Sequence, residues 1–266
     1  KVLATAQEVC RSALDALAVP DDGKHFSLLN PLGFARTEPV RTPLCASARS
    51  VIDMNGRAHP VQSLDDEGVF VVPELPAFSA REFTASAQEA SDSGQVEVTD
   101  LNDCFRVETE CGISYLQKDS GVIASHYDKA LGRELIHHSE ARRDSNVPVL
   151  STDGMNLFQI VDRAPTLRSS WKMSDTLREE HLVRNARVQL VEQGPVFARF
   201  RVDHNFRSSH ISEHILFYRT SPRIDFEATI DWQEAGGPDV GVPHLQVSFG
   251  GRMSRTRARS EGPFCV

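Results

Sequence analysis

Between Ala186 and Trp232 the chain alternates apolar and polar positions with a period of two, and turn residues separate the runs. Val188 and Leu190 flank Gln189 before Gly194-Pro195. Val196, Ala198, Phe200 and Val202 alternate with Phe197, Arg199 and Arg201 up to the polar interruption Asp203-His204-Asn205. Ile211, Ile215 and Phe217 share a face with Glu213 and Arg219 as far as Thr220-Ser221-Pro222. Ile224, Phe226, Ala228, Ile230 and Trp232 then stand opposite Arg223, Asp225, Glu227, Thr229 and Asp231. A helix would spread both sets around a cylinder, whereas strands sort them onto two faces. The stretch therefore predicts an antiparallel meander with the apolar set in a core and the polar set toward water or a partner.

The pattern differs at the other end of the chain. Residues 2 to 18 place Leu3, Ala6, Cys10, Ala13, Leu14 and Leu17 on one helical stripe, and Pro20 with Asp21-Asp22-Gly23 stops the helix. From His25 onward short strand-like runs alternate with punctuation. They fall at Phe26 to Leu29, Glu38 to Thr42, Ser50 to Met54, Pro60 to Ser63, Val69 to Val72, Phe78 to Thr84, Phe105 to Glu108, Ile113 to Gln117, Gly121 to Ser125 and Asn156 to Ile160. Asn55-Gly56 is the strongest hairpin signal, because both residues tolerate positive φ. One helix followed by many short strands predicts an all-β chain built as a large antiparallel β-sandwich, not an α/β domain.

Charge and cysteine content narrow the setting. With 29 basic and 37 acidic residues the net charge is near -8, which disfavours nucleic acid as a partner. No run approaches the roughly 18 apolar residues of a membrane-spanning helix. The start shows no signal-peptide pattern and no initiator Met, so Lys1 is expected to lie inside a longer protein and the compartment stays open. Cys10, Cys45, Cys104, Cys111 and Cys265 are scattered and contain no CxxC pair. They read as buried or incidental thiols, with a Cys104 to Cys111 bridge as the alternative.

Three stretches, in order, resemble the carboxy-terminal half of glycoside hydrolase family 38, the α-mannosidases. Asn30-Pro31-Leu32-Gly33-Phe34-Ala35-Arg36-Thr37-Glu38-Pro39-Val40 is similar to the start of that family's β-region. Gly121-Val122-Ile123-Ala124-Ser125 through Asp128-Lys129-Ala130-Leu131-Gly132-Arg133-Glu134-Leu135 resembles a hairpin there. Gly194-Pro195-Val196 through Ser221-Pro222-Arg223-Ile224-Asp225-Phe226 to Asp231-Trp232 resembles a third segment. The resemblance implies a galactose mutarotase-like supersandwich over residues 25 to 266, with residues 1 to 20 ending a helical bundle and the chain a fragment cut at both ends. It also implies partners outside this sequence: a catalytic barrel, its helical bundle and, through the intact enzyme, a mannose-containing glycan. The zinc ion and the two carboxylates of retaining hydrolysis would belong to that barrel. No catalytic residue, metal ligand or cofactor is therefore expected in this chain.

The residues themselves agree with a non-catalytic reading. Glycoside hydrolysis needs two carboxylates facing each other across a sugar, but the acidic residues here sit in turns or on polar strand faces. Asp225, Glu227 and Asp231 lie on one face at steps of roughly 7 Å, which suits a solvated or interface surface. His137 and His138 point to opposite faces of a strand, and His210 and His214 are spaced too far apart in a strand to share a metal. Two residues are singled out as substrate contacts. Asp162 is expected on a turn at a sheet end just before Pro165, and Trp171 stands isolated among Ser169, Ser170, Lys172 and Ser174, as either a packing plug or a stacking surface. An independent carbohydrate-binding or mutarotase-like module is the competing function, but it needs exposed aromatics, and the chain has only two Trp and three Tyr.

Overall fold

The structure is a computed structural model, and it describes residues 23–91, 94–136, 154–166 and 174–252, together with Thr5, Glu8, Val9, Arg11, Ser12, Ala13 and Ala16. Those seven early residues are helical and exposed, in agreement with a helix there; Leu3, Ala6, Cys10, Leu14 and Leu17 of its expected apolar stripe lie outside the described residues, and Ala13 is exposed. Trp171, His137, His138, Cys10 and Cys265 lie outside the described residues.

The first β-unit is built from β1 (His25–Asn30), β2 (Arg36–Thr42), β3 (Ser50–Asp53), β4 (Ala58–Pro60), β5 (Gln62–Leu64), β6 (Glu67–Leu75) and β7 (Ser79–Ser86). They form one sheet in the order β1-β7-β3-β4 and a second in the order β2-β6-β5. The apolar faces meet around Val51 and the rings of Phe26, Phe70 and Phe83, whose centroids lie 5.6 to 6.0 Å apart. The Asn55-Gly56 signal does join β3 to β4, but only Gly56 takes positive φ. The Asp53 carboxylate accepts from Asn55 N and Arg57 N and holds a wider loop than the two-residue turn.

The second unit is a sandwich. Its larger sheet runs β14 (Thr176–His181), β13 (Met155–Arg163), β11 (Ile123–Asp128), β10 (Gly112–Gln117), β9 (Cys104–Glu108) and β8 (Glu97–Asp100). The short β12 (Arg133–Glu134) pairs with β11, and β19 (Val242–Phe249) pairs with β13. The facing sheet is the expected meander, β15 (Arg187–Gln193), β16 (Phe197–Phe206), β17 (Ser209–Tyr218) and β18 (Ile224–Asp231), paired in that order. Every strand pair among the described residues is antiparallel. Phe105, Leu116 and Ile123 from the large sheet pack on Phe200, Val202, Ile215 and Phe217 from the meander. Gly121 makes this approach possible: its φ is +68°, and a β-carbon there would stand 2.5 Å from Val202 Cγ1.

Two details of the meander differ from expectation. Asp203-His204-Asn205 is no interruption, because β16 runs on to Phe206 and turns His204 inward. The apolar row of β18 is only partly buried: Ile224 and Phe226 reach the core, whereas Ala228 and Ile230 are exposed. β18 is an edge strand, and the facing core side chains extend only under its first half. The opposite face of the meander is not simply solvated. Phe197, Leu216 and Tyr218 lie on it and pack against Leu64, Val69 and Val71 of the first unit.

Candidate functional site

Asp162 sits inside β13, one residue before its end, not on a turn. Its carboxylate is nearly buried and accepts from Arg207 Nη1 at 2.9 Å and Nη2 at 2.8 Å. Arg207 occupies the β16–β17 corner with φ +47°, and its Nε also reaches Glu180 on β14 at 3.3 Å. The Arg207 guanidinium holds the Asp162 carboxyl below the usual range. Both oxygens are thus engaged by a fork that ties the two sheets together.

The acidic face of β18 has a partner too. Arg41 from β2 pairs with Glu227 and lies 3.8 Å from Asp225, while Arg223 bridges Asp225 and Glu38. Tyr218 Oη donates to Asp225 at 2.8 Å, and burial pushes the phenol up to about 12. These groups line an open cleft of about 370 Å³ between the two units, with Pro39 and Phe226 on its wall. Asp225 and Glu227 therefore belong to an interface face, as one of the sequence readings has it, whereas Asp231 remains exposed. Chemically the cleft can hydrogen-bond hydroxyls. It cannot place two carboxylates across a sugar ring, because one guanidinium already stands between them.

A larger cleft of about 640 Å³ lies beside the same junction, lined by Arg49, Gln62, Glu89, Gln95 and Glu192 among others. Gln62 Oε1 accepts from Val196 N and Phe197 N at 3.1 and 3.0 Å, and its Nε2 donates to Glu192 at 2.8 Å. This side chain clasps the first unit to the start of β16.

The most deeply placed acid is Glu213, 1% exposed in the core of the sandwich. A register shift in β13 puts Asn156 at φ +66°, and its Nδ2 donates to Glu213 at 2.7 Å. With no cation beside it, burial raises the Glu213 carboxyl to about 7. His204 faces the same core, is pushed down to about 4 by burial and leaves Nε2 without a partner.

Among the described residues no three His, Cys, Asp or Glu side chains come together as a metal site. His210 pairs with Asn205 and Asp203, and His214 accepts from Arg199 Nη2 at 2.9 Å. Cys104 and Cys111 are free thiols, so the alternative of a bridge between them does not hold. Sequence reasoning missed Arg207 and Arg41, since neither carries a local signal for partners far away in the chain.

The model for the glycosyl hydrolases family 38 C-terminal domain matches residues 114–264. No curated protein matches. Among solved structures, an α-mannosidase from Enterococcus faecalis V583 is similar with a TM-score of 0.53 at 14% identity, over 85% of this chain and 32% of that one. A glycosyl hydrolase family 38 protein from Enterococcus faecalis gives 0.54 at 14%, with the same coverage. At such identity the likeness concerns the fold, and the chain spans about a third of the length of either structure.

Proposed function

The chain belongs to the family of glycosyl hydrolase family 38 C-terminal domains, and from that premise we propose that it is the non-catalytic β-domain of a retaining α-mannosidase, supporting a catalytic barrel held elsewhere in the polypeptide. The observation that carries this reading is the state of the carboxylates beside the cleft between the units. Asp225 and Glu227 converge on Arg41 rather than flanking a space the size of a sugar ring. Asp162 is likewise closed by Arg207, and Glu213 lies out of reach in the core.

Zinc does not fit the described residues of this chain, since they bring no ligand set together, and we assign it to the catalytic part. Of the two expected substrate contacts, Asp162 is proposed to act through Arg207, whose guanidinium it orients. Trp171 remains a proposed contact with the barrel or its pocket.

Purified on its own, this chain is expected to release no aryl leaving group from an aryl α-mannoside beyond a heat-killed control, with or without added zinc. Turnover above that control, abolished by an Asp→Asn change in this chain, would overturn the non-catalytic reading.

A further inference from the structure

One histidine stands between two of the polar ties that cross from the first unit to the meander. The first tie runs from Asp65, in the β5–β6 turn, through Arg199 on β16 to His214 on β17. Arg199 Nη1 donates to Asp65 Oδ1 at 3.3 Å, and its Nη2 donates to His214 Nδ1 at 2.9 Å. The second tie joins Arg41 on β2 to Glu227 on β18. In the register of the meander Arg201, His214 and Glu227 lie side by side, so His214 belongs to one tie and neighbours the anchor of the other. The charged groups around it are thus Arg199 and Arg201 from β16, Glu227 from β18 with Arg41 paired to it, and Asp65 from the first unit. A guanidinium has N–H donors and no acceptor. The bond from Arg199 therefore fixes His214 as the neutral imidazole, with its lone pair on Nδ1 and its proton on Nε2. Arg199 has few alternatives, since its side chain is 12% exposed and its Nε is buried without a partner among the described residues. Burial and the two arginines lower the imidazole below its ordinary 6.5, against the opposing pull of Glu227 and Asp65.

A proton added at Nδ1 acts on both ties. The nitrogen becomes a donor facing a donor, so Arg199 keeps only Asp65, whose side chain is 74% exposed. The new imidazolium is drawn toward Glu227, where it competes with Arg41. We propose that His214 is an acid-operated release for the junction between the two units, which holds it closed while neutral and loosens it once protonated. Both ties are complete above about pH 6.5 and weaken as pH falls through the lowered value of His214. The Arg223–Glu38 pair, the Gln62 clasp and the apolar contact of Leu64, Val69 and Val71 with Phe197, Leu216 and Tyr218 remain, so release loosens the junction without parting the units. The cleft of about 370 Å³ lined by Arg41, Tyr218 and Glu227 lies on this seam and is the space that release widens. None of this depends on the mannosidase reading.

Val196 N and Phe197 N donate across the junction to Gln62 Oε1, so their exchange with solvent reports its opening. Residue-resolved hydrogen exchange by NMR, corrected for the intrinsic rate at each pH, compares them with the Phe200 and Val202 amides inside the meander. From about pH 7.5 to about pH 5.5 the junction amides are expected to gain about ten-fold in exchange relative to those two, the worth of one hydrogen bond to a charged group. An unchanged ratio would overturn the proposal. His214→Gln keeps an oxygen that accepts from Arg199 and takes up no proton, so its ratio should stay constant across the same range. A rise in this variant equal to the parent's would assign the response to another group and equally overturn the proposal. The His214 ring resonances give a second readout that needs no variant to fold. They should titrate below 6.5 in the parent, and higher in Arg199→Met than in the parent. Titration of the parent at or above 6.5 would mean that Arg199 does not hold Nδ1, and the release would have no mechanism.

Discussion

At about pH 8 the Glu213→Gln variant is expected to be more stable than the parent chain by about 3 kcal/mol, and at pH 4.5 to match it. Burial in the sandwich core raises the Glu213 carboxyl from its ordinary 4.5 to about 7, so the folded chain keeps a proton that the unfolded chain gives up. The sign follows directly. The stability due to protonated Glu213 is fully present below pH 4.5, declines as pH rises toward 7 and is absent above it. His204 cannot offset the charge, since it stays neutral down to about 4. Glutamine keeps an oxygen to accept from Asn156 and carries no proton to lose. Urea unfolding of both proteins across this range isolates the effect, because the depressed carboxylates, Asp53, Glu108, Asp162 and Asp203, are common to both. A difference that does not change with pH would contradict the burial of Glu213.

Arg207→Met should have a comparable effect in the opposite direction, a loss of about 3 to 5 kcal/mol at neutral pH, because it strands the buried Asp162 carboxylate without its fork. The pair contributes stability above the ordinary aspartate range that is lost as pH falls through the depressed value of Asp162. The variant should therefore be less sensitive to acid than the parent, and Asp162→Asn combined with Arg207→Met should cost less than the two single changes summed. Strict additivity in that double-mutant cycle would mean that the fork does not join the sheets.

Much of the architecture was legible because strand alternation survives wherever a face is buried. β16 and β17 follow their apolar positions nearly residue by residue. The errors have physical causes. His204 is polar and reads as part of an interruption, yet a strand continues through a polar residue when its neighbours Val202 and Phe206 still point inward. β14 was invisible because Thr176–His181 is exposed on an edge and has no apolar row to betray it. The apolar row from Ile224 to Ile230 marks the β18 strand but overstates its burial, since periodicity records which residues share a face and not what covers it. Asp162 was found as a notable carboxylate for the wrong reason. Its partner is 45 residues away, and no local pattern encodes that pairing. Asn30 stands in one of the family-like stretches, but of the four hydrogen bonds that converge on its side chain two reach residues 45 and 46 positions away, which no local pattern encodes.

The most direct test of a supporting role is the kcat for aryl α-mannoside cleavage by the full-length polypeptide carrying Glu213→Gln, Asp225→Asn or Glu227→Gln, each assayed at a temperature where circular dichroism shows it folded. A non-catalytic domain predicts kcat within about three-fold of the parent for all three, because none of these carboxylates carries the proton or the glycosyl group. A fall of about a thousand-fold in any one of them, with the fold intact, would place the chemistry in this chain and contradict the assignment.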